Sequence, residues 1–175
     1  TPVNESRNDI IIRGNSSLGV QWILDGIEIA NPNHFNAGVG MTGGQVTLLN
    51  TNLLSNSDFH LSAWPAPYGN ALSGIFDLNM RSGNNQKREF WLQAGYNGIE
   101  AGAEGYFSKN SKSSYLVSYR YSIPDLMKKM GMQIPFVPKY QDLTFKTDLE
   151  LNDRNSLSVI GIWGASNINF DIDEG

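Results

Sequence analysis

From about Lys87 onward, apolar and polar residues alternate with a period of two, in segments of roughly ten residues separated by turn residues. That period sends successive side chains to opposite faces of a strand. In REFWLQAGYNG, Phe90, Leu92, Ala94 and Tyr96 share one face and Glu89, Gln93 and Asn97 the other, with Trp91 breaking the rule. In IEAGAEGYF, Ile99, Ala101, Ala103, Gly105 and Phe107 oppose Glu100, Gly102 and Glu104. In SYLVSYRYS, Tyr115, Val117, Tyr119 and Tyr121 oppose Ser118, Arg120 and Ser122. In DLTFKTDLEL, Leu143, Phe145, Leu149 and Leu151 oppose Asp142, Lys146, Asp148 and Glu150, whereas SLSVIGIWG is apolar on both faces. NGIE (Asn97 to Glu100) and NDRN (Asn152 to Asn155) read as hairpin turns. Ile123 to Tyr140, with Pro124, Pro135 and Pro138 around LMKKMGM, reads as a long loop with one helical turn. Segments of this length with Tyr and Trp near their ends fit a transmembrane β-barrel, with short turns expected at one end and long loops at the other. A soluble antiparallel sandwich has the same period.

Residues before 87 have a different texture. DIIIRG (Asp9 to Gly14), VQWILDGIEI (Val20 to Ile29) and IFDLNM are predicted strands, with NSSLG a turn between the first two. ANPNHFNAGVGMTGG (Ala30 to Gly44) is predicted as a long loop, and QVTLLNTNLLSN fits either a helix or a strand. Charged residues are only 17% of the chain, against roughly 25% in ordinary domains, and Gly, Asn and Ser take their place. With 40% hydrophobic and 11% aromatic residues the chain has enough to bury, which excludes a disordered class. The net charge of -4 and the lack of a Lys/Arg run give no electrostatic case for nucleic acid. Cysteine is absent, which removes disulfides, cysteine nucleophiles and cysteine metal ligands. No run of 18 apolar residues is present to form a transmembrane helix, and no signal peptide opens the chain. The polar start, TPVNESRND, and the end, NFDIDEG, are those expected of a piece of a longer protein.

Three motifs in the first half occur in a set order: Ile12-Arg13-Gly14, then Leu24-Asp25-Gly26, then YGNALSGIFDLNMRSG. In the third, Tyr68, Gly69, Ala71, Gly74, Ile75 and Leu78 match a YGxxAxGGxINIxT-like segment. The whole chain resembles the plug domain and first barrel strands of a TonB-dependent outer-membrane receptor. It departs from the family where a Glu-x-x-x-Gly-Pro run precedes the Tyr-Gly: Asp58 stands near the Glu position, Ser62 and Ala63 replace the Gly-Pro, and Ile75 replaces the second Gly. These departures resemble variants of the Bacteroidetes branch, where NPNHF-like loops occur. The glycan-importing members read PLYVIDG where this chain has VQWILDG, so a glycan cargo is not supported.

The resemblance implies a mainly β chain. Residues 1–85 would be the C-terminal part of the plug, a small mixed α/β sheet, and residues 86–175 the first antiparallel strands of the outer-membrane β-barrel. It implies energy-coupled nutrient uptake, with TonB engaging a segment upstream of this chain, a small nutrient ligand, outer-membrane lipid around the barrel, and room for a surface lipoprotein. It implies no enzyme activity and no cofactor, and a location in the outer membrane of a Gram-negative bacterium. Isolated, the piece is expected to self-associate through its open edges. The signature residues are Arg13, Gly14, Asp25, Gly26, Asp58, Tyr68, Gly69, Gly74 and Arg81. Gly69 and Gly74 are expected at close backbone approaches beside the barrel wall, and Arg13 and Arg81 as latches paired to carboxylates, the alternative for both being plain solvated strand-end arginines. Asn31, Asn33, His34 and Phe35 form a candidate substrate-contact loop, whose alternative role is turn structure.

The other candidates have plain alternatives. His34 and His60, the only histidines, lack the convergent ligands a metal site or triad needs. Trp64, flanked by Pro65 and Pro67, is a candidate contact residue whose plain alternative is packing. Asp171, Asp173 and Glu174 offer oxygens of the kind calcium takes, or make a solvated loop. SGNNQK lacks the GK[ST] of a phosphate loop. Glu100 and Glu104 resemble paired glycosidase carboxylates, but a polar lumen explains them as well. The rival for the whole chain is a soluble antiparallel β-sandwich acting as a binding or adhesion module.

Overall fold

The computed structural model describes residues 10–15, 19–30, 32–35, 46–61, 64–66, 68–69, 71–95, 98–109, 111–132 and 136–170. The chain is mainly β. It divides into two units after Arg81, where the sequence puts the division after residue 85.

The first unit carries β1 (Val20–Leu24), β2 (Ile27–Ile29), β3 (Asn33–His34), β4 (Val46–Thr47), β5 (Asp58–His60) and β6 (Gly74–Leu78). Four of them form a sheet in the order β2-β1-β6-β5. β1 and β6 run parallel, and the outer pairs are antiparallel. The predicted single strand Val20 to Ile29 is a hairpin. Asp25 and Gly26 have φ of 47° and 81°, which is the two-residue turn whose twist matches paired strands. The predicted strand DIIIRG is not one: residues 10–15 carry no strand, and Arg13 and Gly14 turn with φ of 52° and 75° while the Asn15 amide donates to the Ile12 carbonyl at 3.0 Å. A left-handed Arg-Gly pair overrides the β propensity of the isoleucines.

The ambiguous QVTLLNTNLLSN holds β4 and then a 3₁₀ turn, Thr51–Leu53. Its cap is Asn50, whose side chain accepts from the Asn52 amide at 3.0 Å. β3, which lies within the region expected to be loop, pairs with β4. The core of this unit is Ile12, Leu24, Leu53, Ile75, Leu78 and Met80, with Leu53 and Ile75 fully buried. Each such side chain contributes about 1.5–3 kcal/mol by leaving water. Phe59, Phe76 and Trp22 stack across three strands with centroids 4.3 Å apart at each step.

The second unit is an antiparallel meander in the order β11-β10-β9-β8-β7. Its strands are β7 (Glu89–Gly95), β8 (Gly98–Tyr106), β9 (Ser114–Tyr121), β10 (Phe136–Asn152) and β11 (Asn155–Phe170), with α1 (Ile123–Lys129) between β9 and β10. The predicted loop from 123 to 140 is shorter than expected, because β10 already begins at Phe136 and runs through Pro138. Register puts Ile99, Tyr121 and Gln141 in one row, so the link after Gly95 and the long α1 connection lie at the same end. The other end carries the 107–113 link and the Asp153-Arg154 turn. Short and long connections are therefore mixed at both ends, unlike the expected segregation.

Register confirms the alternation strand by strand. One row reads Phe90, Ala103, Val117, Phe145, Gly161, and the next Leu92, Ala101, Tyr119, Leu143, Trp163. The opposite face carries Gln93, Glu100, Arg120, Asp142 and Gly164 in one row. Trp91 broke the sequence rule for a local reason. Its ring lies over Gly102, its cross-strand partner, so closely that a Cβ there would sit 2.0 Å from it. Its Nε1 donates to Glu100 Oε1 at 2.7 Å.

Candidate functional site

In the first unit, the Leu24-Asp25-Gly26 motif ties the sheet to the chain that leaves β6. The Asp25 amide donates to the Leu78 carbonyl at 2.8 Å, and Asp25 Oδ1 accepts the Met80 amide at 3.1 Å. Arg81 then binds the 3₁₀ turn, its amide to the Leu53 carbonyl at 2.9 Å and its Nε to the Asn52 carbonyl at 3.0 Å. The partners seen for Arg81 are thus backbone carbonyls of the 3₁₀ turn. Arg13 stands exposed on its turn, which corrects its reading as a buried latch.

Gly74 does mark a close approach: an added Cβ would meet Ile12 Cδ1 at 2.5 Å, Phe59 Cε2 at 3.2 Å and the His60 carbonyl at 3.3 Å. All three neighbours belong to the first unit. Among the described residues nothing comes within 4 Å of a Cβ added at Gly69. Gly14 is likewise open and is needed for its φ alone. His34 is buried in β3, opposite Val46, which corrects its reading as a contact residue in a loop. Phe35 follows with φ of 57°, a strained value for an aromatic residue. Asn33 is half-buried in β3. Asn31 and the acidic tail lie outside the described residues.

A cluster unseen in the sequence gathers on the β5–β6 pair. Asp58 and Asp77 are direct cross-strand partners. The Tyr68 hydroxyl donates to Asp77 Oδ2, and the Tyr68 ring lies 5.4 Å from His60. That hydrogen bond raises the Tyr68 pKa above its usual 10.0, with burial and the charges of Asp77 and Asp58 adding to it. Asp58 is thereby given a place, beside Asp77 on an exposed strand, that the motif comparison alone did not supply. Among the described residues no group of three His, Cys, Asp or Glu side chains could hold a metal ion.

The second unit has its polarity reversed. The apolar face of the meander is open, with Phe90 78%, Leu92 77%, Leu151 61% and Trp163 51% exposed. The face of charges is closed: Asp142 is 2% exposed and Arg120 7%, with Glu100, Glu104, Thr144 and Lys146 also buried. Ordinary antiparallel sheets bury the apolar face and solvate the other. The buried charges are matched. Arg120 Nε and Nη2 both donate to Asp142 Oδ2, at 3.1 and 2.8 Å. Glu100 Oε1 accepts from Trp91 and also from Ser118 Oγ at 3.1 Å. Near the start of β7, the Asn84 amide donates to Glu104 Oε2 at 2.9 Å and its side chain to Glu89 Oε2 at 2.6 Å. The Glu100 and Glu104 carboxylates are committed to these structural bonds rather than facing each other across a cleft as a glycosidase pair would.

Comparison with protein-family models, with curated proteins and with solved structures finds no match to this chain.

Proposed function

We propose that the chain is part of a TonB-dependent outer-membrane receptor, comprising plug residues and the first strands of the barrel, and that it serves energy-coupled nutrient uptake. The observation that carries this reading is the reversed sheet, with an apolar face open and a charged face buried and paired. Apolar surface on this scale is unfavourable in water but costs nothing against lipid tails. Buried polar side chains on the other face suit the interior of a plugged barrel.

The dimensions agree. Leu143 to Leu151 on the open face of β10 is eight steps, about 27 Å of strand at ~3.4 Å each. At a tilt of about 40° that is about 21 Å along the membrane normal, close to the ~25 Å apolar band of such barrels. β10 has 17 residues, so it would project beyond the band. Tyr119 and Trp163 share a row next to the row of Gln141, where an aromatic belt would lie. The ordered motifs Ile12-Arg13-Gly14, Leu24-Asp25-Gly26 and Tyr68-Gly69 supply the link to this receptor family rather than to barrels in general.

No bond-making chemistry is proposed. The plug residues would occlude the lumen until TonB, acting on an upstream segment, moves them. The soluble sandwich module is the weaker reading because it would need its apolar face covered. Fractionation of the source cells tests the choice. The receptor reading expects the protein in the outer membrane, released only by detergent, with uptake of one nutrient lost on gene deletion and on collapse of the proton gradient. Recovery as a soluble monomer from periplasm or medium would refute it.

A further inference from the structure

The connection from β9 to β10 holds three of the chain's five methionines, Met127, Met130 and Met132. Their spacing is set by how α1 ends. The Met132 amide donates back to the Met127 carbonyl at 3.1 Å, and the Gly131 amide to the Lys128 carbonyl at 2.9 Å. Gly131 has φ of 92°, which only glycine adopts freely. This pair of reversed bonds is the glycine-terminated helix cap, and it folds the residue after the glycine onto the last full turn. Met132 is therefore returned beside Met127. Met130 lies three residues after Met127, its amide 3.1 Å from the Met127 carbonyl, so it occupies the same end of the helix. All three side chains are at least one-third open to solvent. Met130 and Met132 are 63% and 46% exposed, so burial does not account for two of the three long apolar side chains carried by this short cap.

We propose that Met127, Met130 and Met132 form a three-thioether site for a soft monovalent cation, Cu(I) or its redox-inert analogue Ag(I). Thioether sulfur is a soft, neutral donor that selects such ions over hard or borderline ones. The chain has no cysteine, so no thiolate within it competes. Lys128 and Lys129 lie between the first two thioethers in sequence, and their repulsion of a bound ion scales with its charge, so a monovalent ion is disfavoured half as much as a divalent one. The cap fixes the backbone before any ion arrives, which removes part of the ordering cost of binding. The site stands independently of the receptor reading.

The test uses the full chain in detergent micelles with 13C-labelled methionine methyl groups, titrated with silver nitrate in chloride-free buffer. Three methyl resonances should shift together and saturate at one ion per chain, while that of the buried Met80 stays in place. Zn(II) at the same concentration should move none of them. The Met127→Leu/Met130→Leu/Met132→Leu variant keeps similar volume and should abolish binding with an unchanged far-ultraviolet spectrum. Loss of an outer-shell partner typically costs about 10–100-fold in metal affinity, and loss of a direct ligand costs no less, so each single Leu variant should weaken binding at least about tenfold. Absence of the three shifts in the unaltered chain, an equal response to Zn(II), or Ag(I) binding that survives the triple variant would overturn the proposal.

Discussion

Replacing Arg120 by Met should be among the most damaging single changes in the second unit, and replacing Asp142 as well should rescue much of the loss. Arg120 and Asp142 are 7% and 2% exposed, and two hydrogen bonds of 3.1 and 2.8 Å join them. An exposed ion pair is worth at most about 1 kcal/mol. Removing one partner of a buried pair costs about 3–5 kcal/mol, because the other charge is left without compensation. Arg120→Met takes away both bonds that Asp142 Oδ2 accepts, and Asp142→Leu takes the same two bonds from the guanidinium, which keeps Glu100 as its other cross-strand neighbour. The double variant strands neither Arg120 nor Asp142. It leaves only Glu100, which keeps its bonds from Trp91 and Ser118. A double-mutant cycle on urea unfolding from detergent micelles, followed by tryptophan fluorescence, measures this directly. The expected result is a single-variant loss of about 3–5 kcal/mol each and a double-variant loss well below their sum. Single losses under about 1 kcal/mol, or strict additivity, would refute the claim that this face is closed to water.

Three further outcomes follow from the first unit. Gly74→Ala should lower stability by about 1–3 kcal/mol, since the new methyl meets Ile12 and the His60 carbonyl, while Gly69→Ala should change it by less than about 0.5 kcal/mol; urea midpoints separate the two. Asp25→Ala should cost about 1–3 kcal/mol by removing the carboxylate that accepts the Met80 amide and straining a φ of 47°, with Asp25→Asn close to neutral, again by urea unfolding. Because the folded chain holds the Tyr68 proton above pH 10.0 and the unfolded chain releases it there, this contribution to stability is complete below pH 10.0 and is lost as pH rises through the folded-state value. Ultraviolet titration should show a late-ionising component that is lost in Tyr68→Phe and moves back toward 10.0 in Asp77→Asn.

The second unit was far more legible than the first, for a physical reason. A period of two carries register information on every residue, and a slip of one would have turned Leu143 and Phe145 to the charged face. Trp91 could not be placed until its partner, Gly102, was known, because a ring covering a neighbouring strand's glycine is a cross-strand property. The ends of the meander were misread since loop length was assigned to ends without a direction for each strand. In the first unit the strands are two to five residues long and owe their existence to neighbours. β5 (Asp58–His60) carries no strand signal of its own, and β6 holds it. The Asp25-Gly26 pair is a strong hairpin signal that the flanking run of Ile and Leu obscured. Tyr68 meets Asp77, nine residues further on, by a contact that no periodicity reports. The motif residues themselves separate by role: Asp25, Gly26 and Gly74 fix the small sheet, while Arg13 and Gly69 do not.

The central claim is that lipid, not water, meets the open face of β10. The absence of native cysteine lets single cysteines be placed at 143, 144, 145 and 146 without background. Spin labels on the full chain in lipid bilayers would then report collisions with oxygen, which concentrates in lipid, and with a water-soluble nickel chelate. The account predicts high oxygen and low nickel contact at 143 and 145, with 144 and 146 low in oxygen contact. Nickel contact at 143 and 145 equal to that of an exposed loop, or no alternation at all, would contradict it.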